Sequence, residues 1–227
     1  MLCIGSSYVP VAAVVDYELT LTCPYRLTAD TAIDALTHAI EAYVSRKHSV
    51  LSDRYALNSM KTVNKYIREA CNNPSSTTAR EQLMIAATEG GMAFSISSVA
   101  MVHGMSRPLG AVFHVPHGLS NAMLLPDVTR FGIETNPERY AQCAAAMGFA
   151  SDSASVDNAA AALLEGLEQM CHDLKVPSLS QFGVKESQYR AAIDRMVSEA
   201  QASGSPGNNP RVPTDAEMAR VYNVVYR

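Results

Sequence analysis

From Thr28 onward the apolar positions recur at helical spacing. Ile33, Leu36, Ile40, Tyr43 and Val44 form one stripe with a period near 3.6 residues, and Thr28 and Asp30 ahead of it are N-cap types. Ser52–Cys71 is predicted as a second amphipathic helix, with Tyr55, Met60, Val63 and Ile67 on its apolar side and Asn72-Asn73-Pro74 as its stop. Thr78–Phe94 and Ser97–Met105 follow. Pro108 and Gly110 are expected to break the pattern before Phe113–His117. His117-Gly118 is expected to open a short helix through Leu125 that Pro126 ends. Asn136–Met147, Ser155–Leu174, Glu186–Ala202 and Thr214–Tyr226 complete the helical set, with Asp215 and Glu217 suited to the dipole of the last first turn. Gly90, Gly91, Ala93, Ala100 and Gly104 are small enough to let helices approach closely.

Met1–Pro24 departs from this pattern. Val9–Val15, VPVAAVV, reads as a short strand buried on both faces, although periodicity does not exclude a helix. Nothing after Thr28 offers it a sheet, so its partners should lie elsewhere. The expected architecture is all-α: a strand-like leader over residues 1–24 and one helical domain over residues 25–227.

Composition narrows the class. At 227 residues, 48% hydrophobic and 18% charged, the chain can bury a substantial core. A net charge of −4, with no basic cluster beyond pairs such as Arg46-Lys47, argues against a nucleic-acid surface. Cys3, Cys23, Cys71, Cys143 and Cys171 are odd in number and scattered, which favours free thiols in a reducing cytoplasm. No apolar run approaches the ~20 residues of a membrane span.

The candidate chemistry sits in Ile33–Glu41, IDALTHAIE, and Val102–Gly118, VHGMSRPLGAVFHVPHG. On a helix, Asp34 and His38 are i and i+4 and leave the same face. His103 and His117 are separated by Pro108 and Pro116, which puts them on two different elements. One carboxylate and three imidazoles can then converge on one divalent metal, with Fe or Zn favoured by that donor set. Taken singly, each histidine has an ordinary alternative: a buried, hydrogen-bonded ring at His38 or His103, or a surface imidazole at a turn for His117. His48 and His172 have no metal-like partner and read as surface residues.

TAIDALTHAIEAY, followed by VHGMSRPLGAVFHVPHGLSNAMLLP and the Asn208–Arg211 NNPR loop, resembles the iron-containing, metal-dependent alcohol dehydrogenase family. The resemblance implies the helical metal domain of the dehydroquinate-synthase-like type, with Asp34, His38, His103 and His117 as ligands of Fe(2+) or Zn(2+). It gives His114 no ligand role and leaves that residue to the cleft wall or solvent. It also implies an NAD(P)-dependent interconversion of alcohol and aldehyde, in which a nucleotide-binding domain precedes the helical one.

This sequence lacks the Gly-rich phosphate turn of such a domain. Gly90-Gly91 lies in a helical pattern, and Gly204–Gly207 follows a helix near the C-terminus. The chain therefore resembles the C-terminal half of the enzyme, with residues 1–24 a remnant of the junction, and is expected to have little activity alone.

Arg107 departs from the family, which often carries a histidine there. Arginine does not exchange a proton at neutral pH but can clamp a carboxylate or phosphate. Selection of an acidic substrate and a structural salt bridge both remain open for it. Leu19 and Thr20, in the LTLTC segment, either touch the nicotinamide or form ordinary linker.

A non-enzymatic helical oligomerisation or binding module is the alternative function. A lyase or synthase of the same superfamily is disfavoured, because the four-ligand pattern matches the dehydrogenase branch. Apolar surface left around Val9–Val15 is expected to drive a homo-oligomer, with the leader pairing as an edge strand.

Overall fold

The structure is a computed structural model that describes residues 6–151 and 153–227. Cys3 lies outside the described residues. Among those described, the elements are ten α-helices and three short 3-10 turns, with no β-strand.

Helix α1 (Tyr25–Val44) is the axis of the fold. Fourteen of its twenty residues are buried, so it is enclosed nearly all round, as a central helix is. It packs against α2 (Val50–Asn72), α3 (Thr77–Ser97) and α5 (His117–Ile133). Asp34 and His38 interrupt its buried surface, and both are only half-buried. Helix α1 starts a turn earlier than its N-cap residues suggested. Pro24 stands at the N-cap, while Thr28 and Asp30 are buried inside the helix. Arg80 in α3 explains part of this, since its guanidinium donates to Thr28 Oγ1 (2.7 Å) and the Cys23 carbonyl (3.4 Å).

Helix α2 begins with a capping box between Ser49 and Ser52, and its Met60, Val63 and Ile67 are buried as expected. Helices α3 and α4 (Met101–Phe113) meet at 106°, and no single helix is long and apolar enough to cross a membrane. The turn between them is held by Asn208 of the NNPR loop, whose Nδ2 donates to Ser98 Oγ (3.1 Å) and the Val99 carbonyl (2.9 Å). Gly104 lets α4 press on Pro206, where a Cβ would come within 2.7 Å of the ring.

Neither Pro108 nor Pro126 ends its helix, contrary to expectation. Each proline deprives the carbonyl four residues earlier of its partner. For Pro126 that carbonyl is Ala122, and the Cys171 thiol donates to it at 3.6 Å. Beside Pro108, Tyr222 Oη donates to the Met105 carbonyl at 2.7 Å. Tertiary packing thus gives the carbonyl orphaned by Pro126 a donor and places a further hydrogen bond beside Pro108, and both helices continue.

The remaining helices, α6 (Pro137–Met147), α7 (Val156–Asp173), α8 (Leu179–Phe182), α9 (Glu186–Ala202) and α10 (Asp215–Val225), close the other side of the core. The one-turn α8 has no sequence stripe long enough to reveal it.

The buried strand expected at Val9–Val15 does not form. This segment is unpaired, with Val11 and Val14 at 108% and 95% exposure, because no described residue offers it a strand to pair with. Cys23, Cys71, Cys143 and Cys171 are free thiols.

Candidate metal centre

Three helices bring the candidate ligands together. Asp34 comes from the third turn of α1, His103 from the first turn of α4 and His117 from the first residue of α5. Gly118 allows α5 to begin this close to α1, since a Cβ there would collide with the Asp30 carbonyl.

Asp34 Oδ1 lies 3.3 Å from His103 Nε2 and 3.6 Å from His117 Nε2. The three donor atoms are all within 4.8 Å of one another. Two atoms bonded at ~2.1 Å to one tetrahedral ion sit roughly 3.4 Å apart, so these separations fit a shared cation. The donor set, one carboxylate oxygen and two imidazole nitrogens, suits Fe or Zn.

His38 is adjacent but less converged. Its Nδ1 is 3.8 Å from Asp34 Oδ1, and it falls outside the group of mutually close donors. Its ring stacks on Phe94 at 4.3 Å and lies 4.3 Å from the His103 ring.

Glu41 was not singled out from the sequence, yet it organises the site. Its buried carboxylate accepts from His103 Nδ1 at 2.7 Å, which leaves Nε2 facing Asp34 as the ring atom open to a cation once its proton is lost. It also accepts from the backbone N–H of Ala100 (2.9 Å) and Val102 (2.5 Å). Ala100, the N-cap of α4, has no side-chain oxygen, so Glu41 of α1 caps that helix instead. One carboxylate thus fixes both the helix that carries His103 and the orientation of its ring. The available signal was spacing, because Glu41 is three residues after His38 and seven after Asp34.

Asn121 is the second residue missed. It follows His117 by four positions on α5 and is fully buried. Its Nδ2 donates to Asp34 Oδ1 at 2.5 Å and lies 3.3 Å from both His103 Nε2 and His117 Nε2.

The electrostatics follow from this packing. Burial alone would depress His103, but the Glu41 charge and hydrogen bonds to Asp34 and Glu41 lift it to about 9. Burial would raise Asp34, but the His103 hydrogen bond and the neighbouring imidazoles hold it down at about 2. Burial, then the neighbouring His103, lowers His38 to about 4, and burial also lowers His117.

Arg107 is exposed and donates from Nη1 to Ser205 Oγ at 3.0 Å. Among the described residues no carboxylate lies within ion-pair distance of it, so the structural salt bridge entertained for it is not formed. His114 is exposed at the left-handed end of α4, and His48 and His172 are surface residues, His48 paired with Asp53 at 3.2 Å. Leu19 is 78% exposed, and Thr20 lines a cavity of about 290 Å³ with Cys23, Leu27 and Arg80. That cavity lies between the leader, α1 and α3 and includes none of the candidate ligands.

The family model described as "Fe-containing alcohol dehydrogenase family, C-terminal" matches residues 28–226. The NADPH-dependent butanol dehydrogenase of Clostridium saccharobutylicum is 36% identical over 220 residues, which is 96% of this chain and 55% of the relative. The 1-propanol dehydrogenase PduQ of Salmonella typhimurium is 38% identical over 215 residues, 93% of this chain and 58% of the relative. Among solved structures, a 1,3-propanediol oxidoreductase superposes with a TM-score of 0.88 at 32% identity, over 93% of this chain and 55% of that one. The iron-containing alcohol dehydrogenase of Thermococcus thioreducens gives 0.89 at 29% identity, over 98% and 56%. The chain spans a little over half the length of these relatives.

Proposed function

We propose, from the premise that this chain belongs to the Fe-containing alcohol dehydrogenase family, that it is the metal-holding half of an alcohol dehydrogenase using NAD(P). The observation that carries this reading is the convergence of Asp34, His103 and His117 at separations a single cation requires. His38 completes the set by a small movement of its ring. The bound metal, Fe(2+) or Zn(2+), would supply Lewis-acid polarisation of a substrate oxygen. The chain's own residues do the rest. Glu41 orients His103, burial lowers the proton affinity of His38 and His117, and the Asp34 carboxylate is held well below the usual carboxylate range.

Arg107 has donors to spare beside this cluster, which supports an acidic alcohol or aldehyde as substrate. Arg107→Ala in the assembled enzyme is expected to lower turnover of acidic substrates more than of neutral ones. Equal losses on both would remove that assignment.

The hydride acceptor requires a second surface. Residues 1–24 are the junction to a nucleotide-binding half, and Leu19 and Thr20 are the positions nearest to that partner's nicotinamide. The exposed leader valines also support a homo-oligomer when the partner half is absent. A clean monomer by sedimentation at high concentration would remove that assignment. Free thiols at four positions suit a reducing cytoplasm.

The isolated chain should show little or no NAD(P)-linked oxidation of alcohols, because hydride transfer needs both carbons held in near contact. Mixing it with the separately produced nucleotide-binding half of a relative, with Fe(2+) or Zn(2+) present, should restore turnover. A folded, metal-loaded chain that binds that half and still gives no activity would overturn the reading.

A further inference from the structure

The Asn121 amide sits among the atoms that a cation would use. Nδ2 is 2.5 Å from Asp34 Oδ1 and 3.3 Å from the Nε2 atoms of His103 and His117, the same three atoms that form the candidate ligand group. A neutral imidazole nitrogen has one lone pair, which serves either an N–H donor or a metal but not both. The other end of the same amide carries a second observation. Asn121 Oδ1 is buried and has no hydrogen-bond partner among the described residues. Buried amide oxygens are ordinarily paired. The amide is therefore aimed by its contacts to the ligand atoms alone, and nothing on its oxygen side holds it there.

We propose that Asn121 is a counter-ligand: its NH2 group, bonded to Asp34 and set against the Nε2 atoms of His103 and His117, fills the ligand cluster when no metal is bound and competes directly with metal for it. The proposal rests on the metal-binding reading above. When the cation enters, the amide must give up its hydrogen bonds and turn away, which its unpartnered oxygen permits. The residue thus keeps the ligand cluster ordered while raising the metal's dissociation constant, and so sets how readily the ion exchanges. His117 and Asn121, one turn apart on α5, would then act in opposition, one ligating and the other displacing.

The sign of the effect separates this from a merely structural role. Chelator-treated wild type, Asn121→Ala and Asn121→Asp would be compared by thermal denaturation and by Zn(2+) and Co(2+) titration calorimetry. For Asn121→Ala we expect the metal-free protein to melt at least about 3 °C lower, yet to bind either ion at least ten-fold more tightly. Asn121→Asp, which cannot donate and adds a negative charge, should shift both quantities further in the same directions. Unchanged or weaker metal binding in folded Asn121→Ala overturns the proposal while leaving the metal-binding reading intact. Metal bound by neither wild type nor either variant overturns both.

Discussion

Glu41→Gln is the substitution on which the geometry makes its sharpest demand. The carboxylate is 2% exposed and accepts three hydrogen bonds, from His103 Nδ1, Ala100 N and Val102 N. Glutamine has nearly the same shape but one acceptor oxygen instead of two. If that oxygen takes the place of Oε2 it retains His103 and Ala100, and its NH2 then faces the Val102 N–H, donor against donor. Leaving one buried N–H unpaired costs about 1–3 kcal/mol, and the two retained bonds lose their charge assistance, about 1 kcal/mol each. The expected destabilisation of the metal-free chain is roughly 3–5 kcal/mol, a large share of the ~5–15 kcal/mol typical of a folded domain. With Glu41's charge gone, burial dominates at His103, so its imidazole should titrate well below its present value of about 9. Loss of a partner that orients a ligand should also weaken Zn(2+) binding ~10–100-fold. Urea denaturation in the presence of chelator, histidine NMR titration and calorimetry read the three quantities. A variant within 0.5 kcal/mol of wild type, with unchanged His103 titration and Zn(2+) affinity, would refute the reasoning, 0.5 kcal/mol being about the scatter of neutral surface changes.

Three further outcomes follow. In chelator-treated protein, His38 is held at about 4 when folded against about 6.5 when unfolded, so the unfolded chain binds the extra proton and stability rises with pH across that interval. The raised His103 contributes stability that is full below about 6.5 and lost as pH climbs through about 9, so the urea midpoint should peak near pH 6.5 and a flat profile would contradict this. The Cys143 thiol is fully buried and pushed up to about 12 by that burial, so it should resist a disulfide reagent at pH 8 until denaturant is added, and prompt native labelling at Cys143 would count against the packing. Tyr222→Phe removes the hydroxyl that bonds the Met105 carbonyl beside Pro108 and should cost about 1–3 kcal/mol in urea denaturation, whereas a neutral effect would mean that the proline-containing α4 needs no such support.

The helical content was legible because apolar stripes such as Ile33, Leu36, Ile40 and Val44 report burial directly, and all four are in the core. Asp34, His103 and His117 were legible because their residue types and spacing restrict what they can do together. Helix ends around Pro108 and Pro126 were not, since the donors that sustain those helices, Tyr222 and Cys171, lie 117 and 49 residues from the carbonyls they serve. The leader was misread for a related reason. A valine-rich run has strand propensity, but a strand exists only where another chain segment supplies the ladder, and none of the described residues does. Glu41 and Asn121 escaped notice because a carboxylate and an amide on helices ordinarily face solvent. Only the folded geometry shows one capping α4 and the other reaching into the ligand cluster.

Calorimetric titration of Zn(2+) into the chelator-stripped chain, repeated with Asp34→Asn and His117→Ala, tests the central claim most directly. The account predicts one ion per chain for wild type, with affinity reduced at least ~100-fold in each folded variant. Wild-type protein that takes up no ion, or variants that bind it as tightly as wild type, would contradict a shared cation on these side chains.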